Sequence, residues 1–260
     1  MPIPDDGYPR AAAVSPRLQV ASRTASTNAD LVSAVSEGAA QEWPHLSVLL
    51  TTDQTAGRGR LDRSWTTPPG TALAVSVLVR VPGIPLAARG WIPLLAGAAM
   101  TRAIDARMRG TGHTARLKWP NDVLVDGLKI CGILAEVTTD PDAIVVGAGV
   151  NTTMTRSDLP VTTATSFTTL GVEPDDDAML ADYLRALDEQ LAALAAAHGD
   201  AAAAGVHGEV EALCSTVGRE VIVALPDGSE LAGVAEMIDK DGRLVVAGRA
   251  VSAGDVVHVR

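Results

Sequence analysis

Lysine is nearly missing from this chain: of 21 basic residues only Lys118, Lys129 and Lys240 are lysine, and the rest are arginine. Aromatic residues are almost as scarce, with four Trp, two Tyr and one Phe, so a core must rest on Val, Leu, Ile and Ala. Cysteine occurs twice, as Cys131 and Cys214, without metal-type spacing; two cysteines in a chain this long are not a disulfide framework. Cys214 reads as a small apolar helix residue. No apolar run approaches the roughly 20 residues of a membrane span, and the start MPIPDDGYPR is neither basic nor followed by a signal core, which predicts a cytoplasmic protein. Basic charge is also in deficit: the net charge of -10 opposes binding to nucleic acid. The five histidines, at 45, 113, 198, 207 and 258, include no metal-binding helical pair, and no Gly-x-Ser-x-Gly elbow is present, which argues against zinc and serine hydrolysis. His258 reads as a strand residue.

What is there suffices for one sizeable domain and a small one, with 47% hydrophobic residues in 260. Residues 1–17 hold four of the fifteen prolines in their first sixteen positions and read as a loose arm. Ser26, Thr27 and Asn28 precede an amphipathic segment ending at Gly38, so one of them caps a helix. Residues 47–53 and 71–80 read as strands and 91–109 as a helix. Short strands follow at 115–118, 123–125, 128–137 and 143–150, with Asp126-Gly127 as a hairpin turn. That turn is expected to put Lys118 and Lys129 on neighbouring strands facing one cleft. A long helix is expected from about 178 to 197, with acids at its start, and a second, alanine-rich helix to about Leu213. From Ser215 the texture changes to short strands and turns, an all-β unit. The resulting division is an arm at 1–17, a catalytic unit at 18–214 and a β unit at 215–260.

Two segments carry chemistry. In TTDQTAGRGRLDRSW (51–65) a strand runs into a loop with Arg58, Arg60 and Arg63 beside Gly57 and Gly59. Such a loop can approach an anion from its backbone and clamp it with guanidinium forks; in an acidic protein it is no part of a generally basic surface. Nothing in the sequence offsets the repulsion of the three arginines, so the loop should be mobile when empty. In KWPNDVLVDGLKICGILAEV (118–137) lie two of the three lysines. A compact ammonium reaches a single reacting oxygen better than a planar guanidinium does. Lys240, in DKDG, is a solvated turn residue. Gly147-Ala148-Gly149 after a strand lacks the third glycine of a dinucleotide fingerprint, since Thr152 stands there.

In order, RTASTNADL (23–31), GRGR, KWPND, Lys129 followed by GIL, and VVGAGVN (145–151) resemble the biotin protein ligase family over about residues 18–260. Asp62 replaces a usual glycine and Cys131 a usual alanine. About seventeen residues precede the first motif, too few for the DNA-reading unit that some members carry, so the resemblance is to the short form. It implies an α+β fold, a class II synthetase-like mixed sheet with helices packed on it, followed by an SH3-like β-barrel. It implies ATP-dependent activation of biotin as biotinyl-5′-AMP and transfer to the acceptor lysine of a biotin carboxyl carrier domain of an acyl-CoA or pyruvate carboxylase, with ATP and Mg2+. A lipoate or octanoate ligase or transferase is the alternative.

On this resemblance Lys129, Arg58 and Arg60 are catalytic. Biotin is expected to meet Ser26, Thr27, Asn28, Gln54, Gly57, Arg58, Gly59, Arg60, Lys129, Gly132, Ile133, Leu134, Gly147 and Gly149. ATP is expected at Arg60, Arg63, Trp65, Lys118, Asn121, Asp122 and Asn151, with Asp122 either a magnesium ligand or a turn cap. Trp65 and Trp119 lie either against adenine or the loop, or in plain packing.

Overall fold

The computed structural model describes residues 7–39, 42–60 and 63–259. Along the chain run α1 (Pro9–Ala12), β1 (Leu18–Val20), α2 (Thr27–Ala34), β2 (Ser47–Thr51), the two-residue strands β3 (Gly57–Arg58) and β4 (Ser64–Trp65), β5 (Ala72–Arg80) and α3 (Ile92–Met108). Then come β6 (Ala115–Lys118), β7 (Asp122–Val125), β8 (Leu128–Val137), β9 (Ala143–Asn151), α4 (Asp176–Ala196) and α5 (Val206–Leu213). Five strands close the chain: β10 (Glu220–Ala224), β11 (Glu230–Ile238), β12 (Leu244–Val246), β13 (Arg249–Val251) and β14 (Asp255–His258).

The first sheet has seven strands in the order β1-β2-β5-β9-β8-β7-β6, antiparallel except for β1 on β2. Its centre, β5 and β9, is covered on both faces, which is why both strands read as near-continuous apolar runs. One face takes α3 and α4; α3 is apolar nearly all round, and Gly97 lets it close to the Leu117 side chain. The other face takes α2, whose N-cap Ser26 accepts from the Ala29 amide at 3.4 Å. Asp126 and Gly127 both have positive φ, 51° and 83°, the conformation a two-residue hairpin of this twist requires.

Four expectations need correction. Lys118 and Lys129 are not on neighbouring strands, because β7 lies between β6 and β8; a second reversal at Trp119–Asn121 precedes the Asp126-Gly127 turn. Residues 9–12 are no loose arm: the Asp177 carboxylate accepts from the amides of Arg10 and Ala11 at 3.0 and 2.9 Å, and Tyr8 and Ala11 are buried. The alanine-rich second helix is helical only over Val206–Leu213, since His198, Gly199 and Gly205 adopt left-handed backbone that ends α4 and turns the chain. Cys214 is not helical but extended, bridging Leu117. Residues 1–6 and Asp62 lie outside the described residues.

The C-terminal strands form an antiparallel five-stranded sheet, order β13-β12-β11-β10-β14, of small-barrel character. Its core is continuous with that of the larger sheet. Two indoles from the part of the chain that forms the larger sheet and its helices fasten it: Trp91 Nε1 donates to the Lys240 carbonyl at 2.9 Å and Trp119 Nε1 to the Gly242 carbonyl at 3.1 Å. Trp119 is therefore a packing residue, 1% exposed. Lys240 itself is solvated, beside Asp241. Among the described residues no helix is long and apolar enough to cross a membrane. Trp119→Phe is expected to lower stability by about 1–3 kcal/mol, the cost of an unpaired buried carbonyl. Urea unfolding measures it, and an unchanged midpoint would deny the indole its fastening role.

Candidate active site

The cleft is built on a part of the sheet where glycines leave the centre of two rows without side chains. Ser76, Gly147 and Leu134 are in-register neighbours across β5, β9 and β8, and Ala74, Gly149 and Gly132 form the next such row. A Cβ on Gly147 would lie 2.3 Å from Asn28 Oδ1, and one on Gly149 2.5 Å from the Trp65 ring. So Asn28, from the first turn of α2, lies across the first row and the Trp65 indole across the second. The backbone openings expected to admit a ligand are occupied here by protein side chains. The Trp65 Nε1 hydrogen is buried with no partner among the described residues.

Around Asn28 the polar groups interlock. Its Nδ2 donates to the Leu134 carbonyl at 3.1 Å and to Glu136 Oε2 at 2.8 Å, while Ser76 Oγ lies 2.5 Å from its Oδ1. The Thr27 amide donates to Gln54 Oε1 at 3.0 Å. Ser26, Thr27, Asn28 and Gln54 are all at most 9% exposed, so helix capping, hairpin approach and pocket lining fall on one set of residues.

Lys129 reaches the same cleft through an irregularity. Val123 pairs with Cys131 but Leu124 with Lys129, so Ile130 is an extra residue in β8, a β-bulge. Cys131 and Ile130 both point into the core, and Lys129, which by simple alternation would share the Cys131 face, is turned onto the face of Gly132 and Asp122. Its ammonium lies 2.6 Å from Asp122 Oδ1 and 5.6 Å from the Trp65 ring centre. Burial pushes the Cys131 thiol well up, which leaves it chemically inert.

The arginine loop folds as the β3–β4 hairpin, with the Gly59 amide on the Arg63 carbonyl. Each arginine has its own acceptor: Arg58 pairs with Glu136 at 3.0 Å, Arg60 Nη1 donates to Asn121 Oδ1 at 3.0 Å, and Arg63 pairs with Asp255 at 2.7 Å. The expectation that nothing offsets their repulsion is thus corrected by partners 61 to 192 residues away. Burial lowers the Arg60 pKa against the pull of Asp122 and Asp255. The bond to Arg63 holds the Asp255 carboxyl below its ordinary value. Beside it on β14, His258 is pushed down to about 4, chiefly by burial and then by Lys118 and Arg219, so it is neutral near pH 7, as befits a strand residue.

Most expected site residues therefore line one cleft: Ser26, Thr27, Asn28, Gln54, Arg58, Gly59, Arg60, Arg63, Trp65, Asn121, Asp122, Lys129, Gly132, Ile133, Leu134, Gly147 and Gly149. Three do not. Gly57 is buried against Gln54 and the Trp65 carbonyl. Lys118 ends β6 outside the lining, near Asp255 and His258. Asn151 is 4% exposed and donates to the Thr165 carbonyl at 2.9 Å. Sequence reasoning missed Ser76, Glu136 and Asp255. Glu136 was within reach, since it continues the alternation of Gly132 and Leu134; Asp255, from the other sheet, carried no local signal.

Residues 20–151 match the Biotin/lipoate A/B protein ligase family. The chain belongs to that family. It is 39% identical over 249 residues to the biotin–[acetyl-CoA-carboxylase] ligase of Mycobacterium tuberculosis, covering 94% of this chain and 90% of that protein. It is 33% identical over 198 residues to the bifunctional ligase/repressor BirA of Escherichia coli, covering 74% of this chain and 59% of that protein. The fold matches that of the biotin protein ligase from Aquifex aeolicus, solved in complex with biotin and ATP, with a TM-score of 0.72 at 23% identity over 94% of this chain and 99% of that one.

For this ligase-family cleft the Arg63–Asp255 pair joins loop to C-terminal unit across solvent, and exposed pairs are worth at most about 1 kcal/mol. Asp255→Ala should therefore speed trypsin cleavage at the loop arginines of the empty protein by up to about fivefold. A cleavage rate equal to that of the parent would show that the pair does not restrain the loop.

Proposed function

We propose that this chain joins biotin to ATP as biotinyl-5′-AMP and then transfers biotin to the acceptor lysine of a biotin carboxyl carrier domain, on an acyl-CoA or pyruvate carboxylase, in the cytoplasm. The observation that carries the reading is the bulge that aims Lys129 into one cleft with Arg58, Arg60 and Arg63. A carboxylate is too poor an acylating agent to modify an amine at neutral pH. In the first step an oxygen of the biotin carboxylate bonds to the α-phosphorus of ATP, and the bond to the bridging oxygen breaks to release pyrophosphate. Two anions meet there, so fixed positive charge is needed where negative charge gathers on phosphorus. Lys129 bridges carboxylate and α-phosphate, Arg58 serves the carboxylate side, and Arg60 and Arg63 hold phosphates. In the second step the lysine amine bonds to the acyl carbon and AMP leaves, with Asp122 as the residue proposed to take the proton.

Magnesium typically binds through one or two carboxylates and the substrate's phosphates. Asp122 is the carboxylate beside Lys129 that fits this pattern; with Asn121 next to it, the donor set suits a hard cation carried in with ATP. The ion would supply charge neutralisation on the leaving pyrophosphate. Lys118 and Asn151 are not proposed as direct ATP contacts, because they lie off the cleft lining.

Biotin-dependent exchange of labelled pyrophosphate into ATP tests the reading, with lipoate and octanoate as the competing substrates. Lys129→Ala is expected to lose exchange by about 100-fold or more with an unchanged circular dichroism spectrum. Near-normal exchange by the variant would remove Lys129 from the mechanism, and exchange driven by lipoate instead of biotin would move the protein to the other branch of the family.

A further inference from the structure

We propose that Glu136 is a positioning residue that fixes the hydrogen-bond polarity of the pocket, so that the pocket presents acceptors to the N–H groups of a cyclic urea. The inference rests on the biotin reading above and concerns a residue that touches no expected substrate atom. Its basis is a count of hydrogens along one buried chain of contacts.

The chain starts at Glu136, whose carboxylate can only accept. Asn28 stands between that carboxylate and the Leu134 carbonyl on one side, at 2.8 and 3.1 Å, and Ser76 Oγ on the other, at 2.5 Å. With two acceptors on one side, the amide must turn its NH2 toward them and its Oδ1 toward Ser76. The opposite orientation would set Oδ1 against both a carboxylate and a carbonyl, in a side chain 5% exposed, leaving buried acceptors unpaired. Ser76 is fully buried and has one hydroxyl hydrogen, which the Asn28 Oδ1 takes. The same hydrogen lies within reach of Thr27 Oγ1, 2.7 Å away, which accepts from Ser76 and spends its own hydroxyl hydrogen on Gln54 Oε1 at 3.2 Å, alongside the Thr27 amide at 3.0 Å.

Every hydroxyl hydrogen in the row is therefore taken by a protein acceptor, and the Asn28 amide is turned with its NH2 toward Glu136. What Thr27 Oγ1 and Asn28 Oδ1 have left for the cleft is lone pairs. A ligand ring that offers N–H donors fits them, and one that offers an ether or ester oxygen at the same place meets acceptor against acceptor. The same carboxylate holds Arg58 Nη2, 3.0 Å from Oε1 and 3.1 Å from Oε2, so the group that sets the polarity of the pocket floor is also the one on which the loop arginine rests.

Calorimetric titration with two probes tests this: biotin, and a biotin analogue in which ring oxygen replaces one ureido N–H to give a cyclic carbamate. The wild-type protein is expected to prefer biotin by about tenfold or more, one buried hydrogen bond's worth. In Glu136→Gln, whose amide can donate to Oδ1 as well as accept and so leaves the Leu134 carbonyl alone to orient Asn28, the preference should fall below about threefold. Glu136→Ala and Ser76→Ala, which interrupt the chain at different points, should lower it likewise. A merely structural role would weaken both probes equally and leave the ratio unchanged; that result in all three variants, or a wild-type protein that does not distinguish the probes, overturns the proposal. A wild-type protein that binds carbamate and biotin both at background overturns the ligase reading itself.

Discussion

The cleft depends on Gly132, Gly147 and Gly149. In a sheet covered on both faces, each inward position normally carries a side chain that fills the space above its strand. Here two adjacent rows are bare at their centre, and the room is taken by side chains that arrive from elsewhere, Asn28 from α2 and Trp65 from the loop hairpin. Because Asn28 lies across three strands, its polar atoms meet groups from β5 and β8 at once. A methyl group at 147 or 149 would separate α2 and the hairpin from the sheet and with them the arginines, so the geometry of the charged groups is set by atoms that are absent.

Charge in the cleft is compensated pair by pair. Lys129 has Asp122, Arg58 has Glu136, Arg60 has the side-chain oxygen of Asn121 and Arg63 has Asp255. In a chain of net charge -10 such partners are easy to find, and they let four cations share a small volume without a ligand. The loop pairs are weakly held: the Arg58 and Arg63 side chains are 47% and 63% exposed, where ion pairs contribute little. An incoming phosphate or carboxylate can replace these acceptors at small cost. Arg60, more deeply buried and bonded to a neutral amide, is the cation whose desolvation an arriving anion would relieve most.

Local patterns made much of this legible from sequence. Alternation and turn chemistry located the strands from 47 to 151, Asp126-Gly127 marked its hairpin, and the change of texture after Ser215 marked the second sheet. The Ser-Thr-Asn turn and the clustered arginines located the two sides of the cleft. What escaped depends on long-range pairing. The Tyr8–Ala12 segment reads as a proline-rich arm until α4 supplies Asp177. Glu136 and Asp255 look like surface acids until the loop folds back on them. Lys118 and Lys129 look adjacent because one hairpin turn is visible, while the reversal at Trp119–Asn121 has no glycine to announce it.

Asn151 shows how a residue can serve a site without entering it. Buried backbone groups that no neighbouring strand pairs must find partners. At the bulge in β8 the Lys129 amide donates to the Thr163 carbonyl and the Lys129 carbonyl accepts from the Thr165 amide, both at 2.8 Å. The segment 163–165 thus pairs β8 on the side away from β7, beyond the end of β9. That segment is in turn held by Asn151, whose Nδ2 donates to the Thr165 carbonyl from the end of β9. Asn151 closes the Gly-Ala-Gly-Val-Asn run, two residues after the last bare glycine, and a buried amide there can reach only the segment crossing the strand ends. Asn151 thereby fixes the backbone of the bulge, and through the bulge the face on which Lys129 stands.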